Sequence, residues 1–495
     1  MQQDFLATLE KNHPLIAFEY ALSEKKEEKS FPLPLPSEKA VAAYTAEMGG
    51  EKWQEEIIQW LEQDPKRILF FLPRFIQAVK LVSVKLLDMS QFIIAKNVDP
   101  CVWEHLFQPW ECLGAFDRKG EIEKALLQGE LTVSHYRDFG KTFLNNCIKN
   151  SSLSSKNGRA LKGKFEGVPA VICGAGPSLE THFARLKDLK DSALIFGGGS
   201  AIMPLAKHKI PLHFIASIDP ASPPFRFQEE TYSDVPLLFQ RQVDPTFLSK
   251  HQGPKLCCGK SGSFALEEFL FKDEVFDTGW TVGTFMAAVA IHFGCDPIYF
   301  VGMDLAVSSE KRYASGVEGE DGRCDVLEGV NKRGEKVFTR PDFLAAKEWL
   351  EVLARNHPEK TWVNLSEGLC IEGIPFGEDI PNERKGDLFA KVKTEVEKLT
   401  VAAYSDKKQE LEKSIQKTAR AIHGALVALA ENRSPLLFEV ELEEELFYTK
   451  HLAPLWEVWK HLLQKREIVS QMEDSEREKK IQQLLFFQEV IGEFT

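Results

Sequence analysis

The feature that most constrains this chain is a series of short, nearly continuous apolar runs between residues 168 and 377. They read VPAVICG, ALIFGGG, LHFIASID, VPLLFQ, PIYFVGMD and KTWVNLSEG, most of them closing on glycine or aspartate. A strand with one wet face alternates apolar and polar residues, whereas a run that is apolar at every position suits a strand buried on both faces. Helical patterns lie between several of these runs. The alternation predicts a doubly wound α/β domain: a mostly parallel sheet with helices covering it.

A chain of 495 residues is too long for one ordinary core. Residues 1–160 mix helical patterns (51–63 and 74–87) with the apolar run RILFFLP and the proline-rich connector FPLPLP, and read as an α/β N-terminal region. The stretch NSSLSSKNGRALKGK at 150–164 reads as a surface linker, which puts the central domain at 161–378. From 379 to 495 the sequence is charged and amphipathic with few glycines, as in KKQELEKSIQKTARAIHGALVALAE, and predicts a helical C-terminal region.

The formal net charge of −13, from 74 acidic and 61 basic residues, argues against broad binding to nucleic acid or anionic lipid. The nine cysteines form no C-x-x-C pair and no zinc-spaced cluster, as expected for free thiols in a reducing compartment. The N-terminus lacks the charged and apolar regions of a secretory signal, and no run of 18 apolar residues occurs. A cytoplasmic location without a membrane span is expected.

The strongest local motif is VICGAGPSLE. An apolar strand enters Gly174, Ala175 and Gly176, and Pro177, Ser178 and Leu179 open a helix. Glycines let the backbone approach a ligand, and the free amides of a helix start suit a phosphate. The same residues also suit an ordinary tight turn between strand and helix. A dinucleotide fingerprint would need glycine where Leu179 stands and an acid after the next strand, which instead ends in Gly197, Gly198, Gly199 and Ser200. A mononucleotide fits better. Asp219 and Asp304 each close a strand run, on the rim where open α/β sheets bind ligands, and each suits a ribose contact, a metal ligand or a base. Thr281, Gly283 and Thr284 precede an apolar helix and offer another anion site; His292, inside that helix, reads as a packing residue. The sequence Gly259-Lys260-Ser261 looks like the end of a P-loop, but Pro254 stands where the first glycine is required.

Taken in order, GAGPSLE, GGGSAIMPL, FIASIDP, GWTVGTFMAAVAIHFGCDPIYFVGMDLA and VNLSEGLCIEG resemble the motility-associated-factor (Maf) family, whose core is shared with the MptE-like 6-hydroxymethylpterin diphosphokinases. The resemblance is strong over about 210 residues of the chain and weak outside them. It implies a sialyltransferase-like fold and transfer of a nonulosonic sugar from a CMP-activated donor to a hydroxyl of an acceptor protein, with no required cofactor. It also implies nucleotide binding at residues 174–179, with Gly199, Ser200, Asp219, Thr281, Gly283, Thr284 and Asp304 on the same rim. The comparable loop of bacterial sialyltransferases, whose core is similar, carries asparagine where this chain has Ala175. Many Maf family members carry a histidine where this chain has Tyr313, a poor base at neutral pH because a phenol titrates near ~10. Two alternatives stand beside this reading: diphosphoryl transfer from ATP to a hydroxymethylpterin, with Mg²⁺ held by Asp219 and Asp304, and a degenerate relative that binds nucleotide or a partner without turnover.

Overall fold

The computed structural model describes residues 2–23, 29–95, 110–114, 116–221, 232–262, 265–306, 327–401, 407–464, 476–492 and 494. The chain forms two compact units, Met1–Tyr136 and Arg137–Thr495.

The first unit contains a four-stranded parallel sheet of β1 (Ala42–Thr45), β2 (Ile68–Phe71), β3 (Phe92–Ile94) and β4 (Trp110–Leu113), in the order β3-β2-β1-β4. Helix Glu51–Glu62 buries Trp53, Ile57, Ile58, Trp60 and Leu61. Those positions recur at the spacing of one helical face, which drives the helix onto the sheet. The unit is α/β as expected, although RILFFLP marks one of its four strands.

The second unit is built on eight parallel strands in the order β14-β11-β6-β7-β8-β9-β10-β5. These are β5 (Lys156–Asn157), β6 (Ala170–Cys173), β7 (Leu194–Gly198), β8 (Phe214–Ser217), β9 (Leu237–Phe239), β10 (Lys255–Cys257), β11 (Ile298–Val301) and β14 (Trp362–Asn364). An antiparallel hairpin, β12 (Leu327–Val330) and β13 (Lys336–Thr339), lies between the last two in sequence. Alternate residues of one strand enter two separate cores: Ala170 and Ile172 face the same side as Phe196, Phe214 and Phe300, while Val171 and Cys173 face Ile195, Ile215 and Val301. Both faces are dry, which is why the runs are apolar at every position. Burying each such side chain contributes about 1.5–3 kcal/mol.

The stretch 150–164 is not a free linker. Its residues Lys156 and Asn157 form the edge strand beside β10, Lys156 Nζ donates to the Val396 carbonyl at 2.7 Å, and Leu161 is fully buried. Every described element from Leu388 onward is helical, the longest being Lys408–Ala430. Among the described residues no helix is long and apolar enough to cross a membrane. The seven described cysteines are free thiols, and all but Cys370 are buried. Burial raises the Cys173 and Cys295 thiols to about 12, so both stay protonated and act as small apolar groups.

The order of the strands locates the site. From β6 the chain moves outward through β7, β8, β9 and β10, then returns to place β11 on the other side of β6. The sheet therefore changes direction between β6 and β11. At such a switch point the loops leaving two neighbouring strands diverge and open a crevice at their carboxyl ends.

Candidate functional site

Residues 174–179 leave β6 at this switch point, and Asp304 follows β11. The two loops are locked together. The Gly174 amide donates to the Val301 carbonyl and the Gly176 amide to the Gly302 carbonyl, both at 2.8 Å. Asp304, only 6% exposed, accepts the Ser178 amide on Oδ2 and the Glu367 amide on Oδ1, both at 3.0 Å, and also accepts the Ser178 hydroxyl. One carboxylate thus ties the loops after β6, β11 and β14. Backbone approach is so close that a Cβ on Gly176 would lie 2.3 Å from Asp304 Oδ2, and one on Gly174 2.4 Å from the Gly302 carbonyl oxygen. Side chains are excluded from both positions.

The glycines after β7 serve the same convergence. A Cβ on Gly198 would meet Val282 at 2.3 Å, and one on Gly283 would meet the Met303 sulfur at 2.5 Å. The turn after β7, the start of helix Val282–Phe293 and the loop after β11 are therefore in van der Waals contact. Gly199 has a φ of +52°, a conformation that glycine adopts without strain. Ser200 and Asp219 are both partly buried, Asp219 two residues beyond β8.

The geometry changes the role of several residues expected to bind ligand. The amides of Gly174, Gly176, Ser178 and Leu179 all donate within the protein, and Pro177 has none, which leaves only the Ala175 amide of this loop for a phosphate. The helix that follows is a short 3₁₀ turn, Pro177–His182, so a strong dipole is absent there. Thr281 and Thr284 form a reciprocal capping box on helix Val282–Phe293. Thr284 is fully buried, its hydroxyl donating to the Thr278 carbonyl at 2.6 Å. It holds the turn and does not face a ligand. Asp304 accepts protein donors on both oxygens, which makes it first a positioning residue for the loops. Tyr313 lies outside the described residues. His292 is a packing residue as expected: Nε2 lies 2.8 Å from the Arg159 carbonyl, and burial lowers its pKa.

Two groups have a structural role that the sequence did not assign them. Asn146 and Asn150, one turn apart on helix Phe116–Asn150, are buried and hold the far side of the rim. Asn146 Nδ2 donates to the carbonyls of Pro220 (2.7 Å) and Gln242 (2.8 Å), and Asn150 Nδ2 to those of Arg241 (2.9 Å) and Val243 (2.7 Å). The loops after β8 and β9, including the one carrying Asp219, are thereby fixed. Asparagine is unfavourable inside helices, so a pair at this spacing in FLNNCIKN was a readable signal. The second group is the turn at 259–262. Buried Glu267 accepts the Ser261 amide (3.1 Å), the Gly262 amide (3.0 Å) and the Ser261 hydroxyl (2.5 Å), so a carboxylate of the protein occupies the place a P-loop gives to phosphate. A cavity of about 550 Å³ bounded by Lys207, Tyr232 and Phe389 also touches Pro211 and Leu212, just before β8; it therefore lies at the amino ends of the strands, opposite the switch-point rim.

A doubly wound sheet whose loops are clipped together at the switch point defines the class: an α/β protein with a crevice at the carboxyl ends of its strands. Residues 141–310 match the family model of the MptE-like 6-hydroxymethylpterin diphosphokinases, a span that contains the Ser178–Asp304 clip. Among solved structures, the fold is found in a MAf glycosyltransferase from Magnetospirillum magneticum AMB-1, with a TM-score of 0.51 and 14% sequence identity, covering 92% of this chain and 77% of that one. Both resemblances carried by the motifs are thus recovered by comparison. Among curated proteins, none matches the sequence.

Proposed function

We propose that the chain is a Maf-like glycosyltransferase, moving a nonulosonic sugar from a CMP-activated donor to a protein hydroxyl. The observation that carries this reading is the switch-point rim, clipped by Asp304, within a fold shared with a MAf glycosyltransferase. The nucleotide lies across the end of β6, where the Ala175 amide is available to it. The acceptor oxygen attacks the anomeric carbon, the bond from that carbon to the phosphate oxygen breaks, and CMP leaves with the electron pair. The acceptor's proton passes to a base, for which Asp219 is the carboxylate on the rim. Asp304 positions the loops.

A second reading, diphosphoryl transfer, has the match of residues 141–310 to the MptE-like family model behind it. That chemistry needs Mg²⁺ to neutralise the phosphates. Asp304 already accepts three protein donors, which leaves about one of its carboxylate lone pairs for a metal.

The test is turnover. Incubation with a CMP-activated pseudaminic or legionaminic acid and a serine- or threonine-bearing acceptor should release CMP at a rate reduced at least ~10²-fold by Asp219→Asn. Formation of AMP from ATP and a hydroxymethylpterin, with no CMP release, would overturn the glycosyltransferase reading.

A further inference from the structure

The hairpin β12–β13 brings two cations to the edge of the same rim. Asn331 shapes its turn: Oδ1 accepts the Arg333 amide (2.9 Å) and the Glu335 amide (3.0 Å), and Nδ2 donates to Glu335 Oε2 at 2.9 Å. The hairpin is anchored where the site is. The Cys370 amide donates to the Val330 carbonyl at 3.0 Å, and the Thr339 hydroxyl donates to the Leu305 carbonyl, next to Asp304, at 2.7 Å. Lys332 and Arg333 then converge on one carboxylate, Glu367, with Arg333 Nη2 at 3.3 Å. The amide of that same Glu367 is the one held by Asp304. Glu367 thus joins the two cations, through its side chain, to the Ser178–Asp304 clip, through its amide.

We propose that Lys332 and Arg333 receive a phosphate group of the ligand, and that Glu367 occupies them in the free protein as an internal substitute for that anion. The proposal rests on the reading of the rim as a nucleotide site and adds the residues that neutralise the phosphate. Two positive charges face the single carboxylate of Glu367, while the Glu335 carboxylate of the same turn is held by Asn331. The side chains of Lys332, Arg333 and Glu367 are 32%, 64% and 47% exposed, so water screens the cluster and it opens readily. Burial raises the Glu367 pKa, but Lys332 and Arg333 more than offset it, and the carboxylate stays charged. A planar guanidinium beside a flexible ammonium matches phosphate geometry at least as well as it matches Glu367. Exchange of one anion for another keeps the cations paired and releases Glu367 to solvent.

The test is calorimetric titration of the full chain with inorganic pyrophosphate, comparing wild type with Lys332→Ala, Arg333→Ala and Glu367→Gln. Glu367→Gln keeps the amide that Asp304 holds, and far-UV circular dichroism checks each fold. Pyrophosphate should bind about 10-fold more weakly to each cation variant and at least about 3-fold more tightly to Glu367→Gln, with affinity falling as salt rises. Equal affinity in all four proteins, or no binding to wild type and Glu367→Gln, would overturn the proposal. CMP titrated separately decides the parent reading. Failure of CMP to bind a chain whose pyrophosphate affinity follows the cation pair contradicts the nucleotide site and leaves the cation site standing.

Discussion

Asp304, just beyond β11, holds both the amide and the hydroxyl of Ser178, just beyond β6, although 126 residues separate them in sequence. The contact crosses the one place where the sheet reverses direction, so it closes the loops that frame the crevice. Asp304→Asn replaces an acceptor with a donor and strands at least one buried amide or hydroxyl, at a cost of about 1–3 kcal/mol. Ser178→Ala alone should cost less. A double-mutant cycle by denaturant unfolding should show a coupling of about 0.5–3 kcal/mol. Strictly additive effects would mean that the clip contributes nothing as a unit.

Gly302 tests the close approach of the two loops. It has a φ of +68°, and a Cβ there would lie 2.6 Å from the Gly174 carbonyl oxygen. Gly302→Ala combines left-handed strain with overpacking and should cost about 2–4 kcal/mol. Gly167 has the same φ of +68° with no atom within 4 Å of the added carbon, so Gly167→Ala should cost only about 1–2 kcal/mol. The difference between the two unfolding midpoints measures the packing contribution.

Asn146 separates loop positioning from general stability. Asn146→Ala leaves the buried Pro220 and Gln242 carbonyls without their donor and should destabilise the protein by about 1–3 kcal/mol. It should also weaken nucleotide affinity, because the Pro220 carbonyl adjoins Asp219. A variant that is less stable but binds CMP with unchanged affinity would show that the latch supports the core alone.

Acid should weaken the fold through its buried histidines, of which His213 and His451 are two. His213 accepts the Ile195 amide on Nδ1 at 3.0 Å, and its Nε2 lies 3.0 Å from the Lys190 carbonyl, an arrangement that needs the neutral ring. Burial lowers its pKa to about 4, and burial lowers that of His451 to about 3. Both values are depressed from 6.5, so the unfolded chain takes up protons first. The stabilisation is complete above pH ~6.5 and is lost as pH falls towards ~4, on the order of 3 kcal/mol from His213. Thermal midpoints between pH 7.5 and 4.5 should fall steadily, and less steeply in His213→Gln. An unchanged slope would show that His213 is not held neutral.

Much of the sheet was legible because burial on both faces leaves a purely local mark. The strands β6, β7, β8, β9, β11 and β14 each lie inside an apolar run. β5 was not legible: its two polar residues are a strand only because β10 lies beside them and Lys156 reaches Val396. Of the first unit, β1 reads Ala-Ala-Tyr-Thr, too weakly apolar to stand out before its neighbours bury it. The motifs marked the right loops, but not which amides would remain free, because Asp304 and the carbonyls of β11 reach them across the sheet. The spacing of Thr281 and Thr284 was itself a capping signal, and it outweighs the anion reading. Lys332, Arg333 and Glu367 are unremarkable in sequence, since only the hairpin makes them neighbours.

The central claim is that the rim beside Asp304 binds a cytidine nucleotide. Calorimetric titration of CMP into the full chain, with and without Mg²⁺, tests it most directly, alongside Ala175→Glu, which sets a carboxylate at the loop's remaining amide, and Lys52→Ala, an exposed-surface variant of the first unit. Metal-independent binding by wild type and Lys52→Ala, weakened at least ~10-fold in Ala175→Glu, is the expected result. Binding of ATP only with Mg²⁺, or CMP binding that is equal in all three proteins, would contradict it.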